Sequence, residues 1–316
     1  MTSPRPISIE TAGLSKAFGD HTVLDGIDLT VAAGTIFALL GPNGAGKTTT
    51  VNILSTLVHA DGGTARVAGH DIDRDGSAVR AAIGVTGQFS AIDGLLTGQE
   101  NLRLMADLHH LGRAEGRRQA DALLQRFDLQ DVAGKPAMTY SGGMKRKLDL
   151  AMTLMGAPEV IFLDEPTSGL DPRSRRGLWD IVRGLVADGV TIMLTTQYLD
   201  EADQLADRIA VLDNGRIVAE GTPAELKRRV PGGTIVLHLN DAAGLDAAAR
   251  VFPDGTGDND ALTLSLSAGG DIPAIRSVLD RLERSAVTAN HLEVTSPGLD
   301  DVFLALTGPG ARKVAL

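Results

Sequence analysis

One octapeptide narrows the possible folds more than the rest of the chain does. Gly41-Pro42-Asn43-Gly44-Ala45-Gly46-Lys47-Thr48 fits the pattern G-x-x-x-x-G-K-[ST] at every position. A continuous apolar run over residues 35–40 precedes it, and a helical pattern over residues 47–58 follows. A strand covered on both faces, a glycine-rich turn and a helix form the context in which such a loop cradles phosphate. The glycines let backbone N–H groups curl toward an anion, and the helix N-terminus adds the positive end of its dipole. Lys47 supplies a point charge for β- and γ-phosphates, and the Thr48 hydroxyl is the expected Mg²⁺ ligand. The loop therefore predicts an α/β chain that binds a nucleotide.

Two further segments fit that prediction. The apolar run at residues 160–163 ends in Asp164 and Glu165. In an open parallel sheet, the carboxyl end of a buried strand borders the crevice where ligand binds. Asp164 would hold Mg²⁺ through water, and Glu165 would polarise the attacking water as general base. Upstream, Tyr140-Ser141-Gly142-Gly143-Met144-Lys145 opens a helix with a serine N-cap, and Leu148, Met152 and Met155 are spaced for one buried face. A glycine-flanked, serine-capped helix start is a second anion site. Two half-sites for one nucleotide imply that two copies pair.

The rest of the chain divides readily. Residues 7–14 and 22–31 alternate apolar and polar side chains, as half-buried strands do, and residues 100–111 and 117–127 form helices of an inserted lobe. Helices at 174–187 and 199–205 alternate with strands at 191–195 and 208–212, and Asn214-Gly215 signals a hairpin. Thr222-Pro223-Ala224-Glu225 starts a helix with a capping box, and Pro231-Gly232-Gly233 breaks the chain. Beyond lie three expected strands, 234–239, 261–266 and 291–294, separated by helices at 242–250 and 272–284. The 316 residues suffice for a large domain plus a smaller one. A net charge of −10 argues against a surface built for nucleic acid, and the lack of cysteine excludes thiolate chemistry and cysteine-bound metal. No stretch reaches the roughly 18 apolar residues of a membrane span, and residues 1–10 lack the apolar run of a secretory signal. A soluble intracellular protein is expected, one that reaches any membrane by docking.

The order of these motifs, with Gln88 between the loop and the serine-capped helix, and with Asp164-Glu165-Pro166-Thr167 followed by Ser168-Gly169-Leu170-Asp171, resembles the nucleotide-binding subunits of ABC transporters over residues 7–230. The resemblance implies a P-loop NTPase of ABC type in residues 1–230: a RecA-like core, an antiparallel β subdomain and a helical lobe at about 90–157. A small C-terminal α/β accessory or dimerisation domain would occupy residues 231–316. The cofactors implied are ATP and Mg²⁺. Residues 41–48 and Thr49 would hold the phosphates, and Phe18 would stack on adenine. Ser141, Gly142 and Gly143 of one copy would meet the γ-phosphate bound by the other. Asp171 would lie in the segment that communicates across the dimer, and Gln88 would sense Mg²⁺ and the attacking water.

The chain departs from the family pattern in three places. The usual Leu-Ser-Gly-Gly-Gln is altered at Tyr140 and Met144, and Gln197 stands where the family has histidine. An amide can donate to a γ-phosphate but cannot exchange a proton near neutral pH. Gln197 is therefore expected to position, leaving proton abstraction to Glu165; the alternative is an impaired site, a nucleotide-gated binding module. The segment Gln197-Tyr198-Leu199-Asp200-Glu201-Ala202-Asp203 is similar to the daunorubicin/doxorubicin-resistance branch of the family, as is Leu299-Asp300-Asp301-Val302-Phe303-Leu304-Ala305-Leu306-Thr307-Gly308. The latter also reads as an amphipathic helix closing the small domain. That branch implies export of a bulky amphipathic compound through a separately encoded permease, with the subunit a homodimer at the inner face of the membrane. Relatives that use the same ATPase head in DNA repair or translation usually carry long coiled coils, zinc-binding cysteines or two tandem heads, none of which is legible here. No nucleic-acid partner and no metal beyond Mg²⁺ are expected.

Overall fold

The computed structural model describes residues 5–87, 91–229, 233–267, 272–285, 287–295 and 298–307. It divides into two compact units, Met1–Thr222 and Pro223–Leu316.

The first unit runs β1 (Ile7–Phe18), β2 (His21–Ala32), β3 (Ile36–Leu40), α1 (Lys47–Leu54), β4 (Gly62–Val67), β5 (His70–Asp71), α2 (Gly76–Ala82) and β6 (Ile83–Thr86). It continues with α3 (Gly98–Leu108), α4 (Arg113–Arg126), α5 (Gly142–Thr153), β7 (Val160–Asp164), α6 (Pro172–Ala187), β8 (Thr191–Thr196), α7 (Leu199–Leu205), β9 (Arg208–Asp213) and β10 (Arg216–Gly221). Among the described residues, a six-stranded sheet has the order β10-β9-β3-β8-β7-β6 and a four-stranded sheet the order β2-β1-β4-β5. The strands from β9 to β6 are parallel. Every residue of β3, β7 and β8 is buried, which explains the apolar runs at residues 36–40, 160–163 and 192–194. Phe37, Leu39, Phe162, Met193 and Leu212 of this sheet share a core with Val51 and Ile53 of α1 and with Ile9, Leu14 and Leu29 of the antiparallel sheet.

Register matters most for function. Leu40 pairs with Thr196, and Asp164 pairs with Thr195. Three parallel strands thus end at one edge, and the loop after β3, the acids of β7 and the residues after β8 emerge side by side. The β9–β10 hairpin turns at Asn214-Gly215, both at positive φ as its tight turn requires.

Several boundaries differ from expectation, each for a local reason. Helix α1 stops at Leu54, not 58, because Thr56 turns left-handed and the amides of Leu57 and Val58 both return to the Asn52 carbonyl. Helix α3 begins at Gly98 because Thr97 and Glu100 form a capping box, and α6 begins at Pro172 because Asp171 caps it. The segment from β4 to β6 contains strands and a helix that periodicity missed.

The second unit contains α8 (Pro223–Lys227), β11 (Thr234–Leu239), α9 (Ala242–Val251), β12 (Thr256–Asp258), β13 (Thr263–Ser267), α10 (Ile272–Arg284), β14 (Ala289–Thr295) and α11 (Leu299–Thr307). Among the described residues, four antiparallel strands, in the order β12-β13-β11-β14, replace the three expected. Ile235, Leu237, Leu239, Leu264 and Leu266 pack on Leu245, Ala248 and Phe252 and on Val278 and Leu282 of α10. Helix α8, for which the sequence predicts a capping box, falls in this unit, ahead of the boundary placed at residue 230, which itself lies outside the described residues.

Candidate functional site

Beyond Leu40 the chain has little steric freedom. A Cβ on Gly41 would stand 2.2 Å from the Leu212 carbonyl oxygen, and one on Gly46, at φ 109°, would stand 2.6 Å from Leu24. These two glycines let the loop pass close to neighbouring strands, and Pro42, Asn43, Gly44 and Ala45 lie between them. Lys47 is the first residue of α1 and is buried. Its Nζ donates to the carbonyls of Gly41 (2.8 Å) and Pro42 (3.0 Å) and lies 3.7 Å from Oε1 of Glu165. Burial pushes the ammonium below the usual lysine range, while Glu165 and Asp164 pull it back up.

The acids of β7 come to the same place. Thr48 Oγ1 donates to Asp164 Oδ2 at 3.0 Å. Asp164 Oδ1 accepts the hydroxyl of Thr195, whose own oxygen and carbonyl each accept the Glu165 amide at 3.1 Å. Glu165 has φ +46°, a left-handed backbone that non-glycine residues rarely adopt. A cavity of about 450 Å³ is lined by Phe18, Asn43, Gly44, Lys47, Thr48 and Glu165, with Thr49 also on its wall. Phe18 is 53% exposed on its rim, with Lys16 Nζ 5.3 Å over the ring. Phe18 is thus a rim residue and no part of the core.

Other expected residues stand apart from this cavity. Ser141 caps α5, its Oγ accepting the Met144 amide at 3.3 Å, and both Ser141 and Gly142 are exposed. A Cβ on Gly143 would lie 2.5 Å from Ser174 Oγ, so α5 and α6 meet there. Asp171 accepts the amides of Arg173 and Ser174 and the Ser174 hydroxyl (2.6 Å), bonds that hold its carboxyl below the usual range. Within one chain, then, the serine-capped tip does not line the lysine-bearing cavity. Gln197 follows the last residue of β8, is half-buried and is not among the residues lining the cavity. Gln88 lies outside the described residues.

The departure at Tyr140 has a physical reason. Its ring is buried, its hydroxyl donates to the Val132 carbonyl at 2.8 Å, and it rests on Gly98, where a Cβ would come within 2.3 Å. A leucine could not make that bond. Two buried polar residues escaped the sequence reading. Thr195 binds the Asp164 carboxylate and the Glu165 amide, and only its place at the end of a buried strand beside an acidic one could have pointed to it. Glu201 is fully buried on α7, accepts Trp179 Nε1 at 3.3 Å, and is pushed above the usual carboxylate range by burial. Its signal was an acid one helical turn before buried Leu205.

A phosphate loop opening a helix, an acidic strand end one strand removed and a parallel sheet that delivers both to one edge define a P-loop nucleoside triphosphatase. Comparison with known proteins narrows the class. The family model described as ABC transporter matches residues 24–168. The daunorubicin resistance ATP-binding protein DrrA3 of Streptomyces coeruleorubidus is 50% identical over 96% of this chain and 97% of its own length. The daunorubicin/doxorubicin resistance ATP-binding protein DrrA of Streptomyces peucetius is 47% identical over 95% of this chain and 92% of its own. A solved ATP-binding subunit of an ABC transporter superposes with a TM-score of 0.63 at 30% identity, covering 70% of this chain and 92% of that one. The chain belongs to the ABC transporter family, as one of its ATP-binding and ATP-hydrolysing subunits.

Proposed function

We propose that this subunit drives export of a bulky amphipathic compound through a separately encoded membrane permease, by closing as a homodimer around two ATP molecules. The carrying observation is the separation of the two half-sites. The cavity of Lys47, Thr48 and Glu165 would hold one side of a triphosphate, whereas Ser141 and Gly142 are exposed and are not among the residues that line it. A second copy brings its Ser141, Gly142 and Gly143 to the open side, and Asp171 lies beside that contact. Phe18 on the rim receives the adenine, and residues 41–49 receive the phosphates.

The residues present suit magnesium. Thr48 Oγ1 and the Asp164 carboxylate are hard oxygen donors within 3.0 Å of each other, and together with Gln88 they would hold the ion. An ion held there would supply positive charge against that of the triphosphate. Lys47 exchanges the loop carbonyls for phosphate oxygens, Glu165 accepts the proton of the attacking water, and Gln197 orients the terminal phosphate. The nature of the cargo is supported by the names of the Streptomyces relatives and by their near full-length match, and a membrane partner by membership of the ABC transporter family. No helix among the described residues is long and apolar enough to cross a membrane. In this reading the subunit works at the inner membrane face through its permease partner. Co-expression with the candidate permease tests this. ATP-dependent efflux of daunorubicin that disappears with Lys47→Ala is expected, and efflux indifferent to that change would refute it.

A further inference from the structure

We infer that Arg146 is a positioning residue for ATP hydrolysis, its guanidinium fixing the backbone on both sides of Glu165 and tying that carboxylate to the helix that Ser141 caps. The inference rests on the reading of Glu165 as the general base.

The geometry is specific to a forked cation. Nε of Arg146 donates to the Pro166 carbonyl at 2.9 Å and Nη2 to the Asp164 carbonyl at 3.2 Å, which are the carbonyls flanking Glu165. Nη1 donates to the Gly87 carbonyl at 3.1 Å and to Asp149 Oδ2 at 3.3 Å. Asp149, one turn further along α5, accepts the Ala91 amide through its other oxygen. The arginine side chain is only 13% exposed and the aspartate 6%, so charge and counter-charge are largely withdrawn from water together. One side chain of α5 thereby binds two separate stretches of backbone, at Gly87 and on both sides of Glu165. A lysine, with a single compact ammonium, cannot reach carbonyls in those divergent directions.

What the fork holds is a strained residue. A left-handed non-glycine backbone persists only where its surroundings over-determine it. Glu165 at φ +46° has its amide bound by the carbonyl and hydroxyl of Thr195, and its two flanking carbonyls bound by Arg146. Released from the fork, the Glu165 peptide relaxes toward an ordinary conformation and its carboxylate leaves the neighbourhood of Lys47. Because Arg146 and Ser141 ride on the same helix, a phosphate gripped at the tip of α5 is mechanically linked to the backbone that aims the base.

The full-length chain carrying Arg146→Lys, Arg146→Gln or Glu165→Gln tests this with three readouts: kcat for ATP hydrolysis, Kd for a fluorescent ATP analogue, and the thermal midpoint. Misplacing a catalytic group by an ångström costs up to about a hundredfold, so R146K is expected to lose kcat by about tenfold to a hundredfold. Its Kd should stay within about threefold and its thermal midpoint close to wild type, because the buried charge is kept. R146Q should lose kcat at least as far, and if it does not accumulate, R146K carries the test. Retention of kcat by R146K overturns the inference. So does a loss of kcat matched by equal losses of nucleotide binding and thermal stability, which would make the role purely structural. Wild-type hydrolysis by Glu165→Gln would overturn the assignment of the base itself, and this inference with it. An inactive Glu165→Gln beside an active Arg146→Lys would sink the inference alone.

Discussion

Lys47 and Glu165 face each other at 3.7 Å across the mouth of the phosphate loop, the ammonium still bound to the loop's own carbonyls. The pair is an electrostatic placeholder. The lysine donors are taken up by the Gly41 and Pro42 carbonyls, and the carboxylate compensates part of a charge that burial makes costly.

Removing the cation should therefore do more than delete one contact. In Lys47→Ala, the carboxylates of Asp164 and Glu165 remain beside the loop with no ammonium between them and the incoming triphosphate. A hydrogen bond to a charged group contributes about 1.5–3 kcal/mol, so ATP affinity should fall by about tenfold to a hundredfold. Titration with a fluorescent nucleotide measures this, and unchanged affinity would contradict it.

Glu165→Gln keeps the shape of the side chain and loses the base. Positioned general bases contribute about a hundredfold or more, and turnover should fall by at least that factor while ATP still binds. Stalled before cleavage, this variant should accumulate dimers in ATP and Mg²⁺, visible by sedimentation. A wholly monomeric sample under saturating nucleotide would argue against the two-copy sandwich.

Thr195→Val is the sharper probe of organisation around the acids. It preserves volume and removes the hydroxyl that donates to Asp164 and accepts from the Glu165 amide. Leaving a buried carboxylate oxygen without that donor costs about 1–3 kcal/mol, read as a lower denaturant midpoint with unchanged slope. Thr195→Ser should restore most of it, and equal stability of all three proteins would show the hydroxyl to be idle.

Glu201 makes stability depend on pH in an unusual direction. Burial raises its carboxyl pKa in the folded chain above the unfolded value of about 4.3. A group raised on folding contributes fully below its unfolded pKa, and that contribution is lost as pH rises through the folded value. Glu201→Gln cannot ionise, so its thermal midpoint relative to wild type should be higher at pH 8 than at pH 5. An offset that is constant, or of opposite slope, would mean that the charge of Arg175, which acts on Glu201, and the hydrogen bonds from Thr196, Thr167 and Trp179 already neutralise the buried carboxylate.

How far the site was legible depended on how local its constraints are. The phosphate loop, the acids after residue 163 and the serine cap each have their geometry dictated by neighbours in sequence, so spacing alone located them. Thr195, Arg146 and Glu201 are defined by partners tens of residues away, and nothing in a single threonine, arginine or glutamate announces such a partner. The same holds for the fold. Buried runs such as β3 and β8 were plain, whereas β4 buries only Ala65 and Val67 and takes its identity from pairing with β1. The three residues of β12 are all exposed and belong to a sheet only through β13. Tyr140 shows the remaining gap: a residue that breaks the family pattern makes sense only once Val132 and Gly98 are seen against it.

Gly143 closes off one route of change. Helices α5 and α6 touch through the side chain it lacks, and even a methyl group would wedge them apart at Ser174. A saturation library across this helix tip should come back nearly empty at residue 143. Tuning of turnover, whether by selection or in the laboratory, is left to the flanking Tyr140 and Met144, where the chain already differs from Leu-Ser-Gly-Gly-Gln.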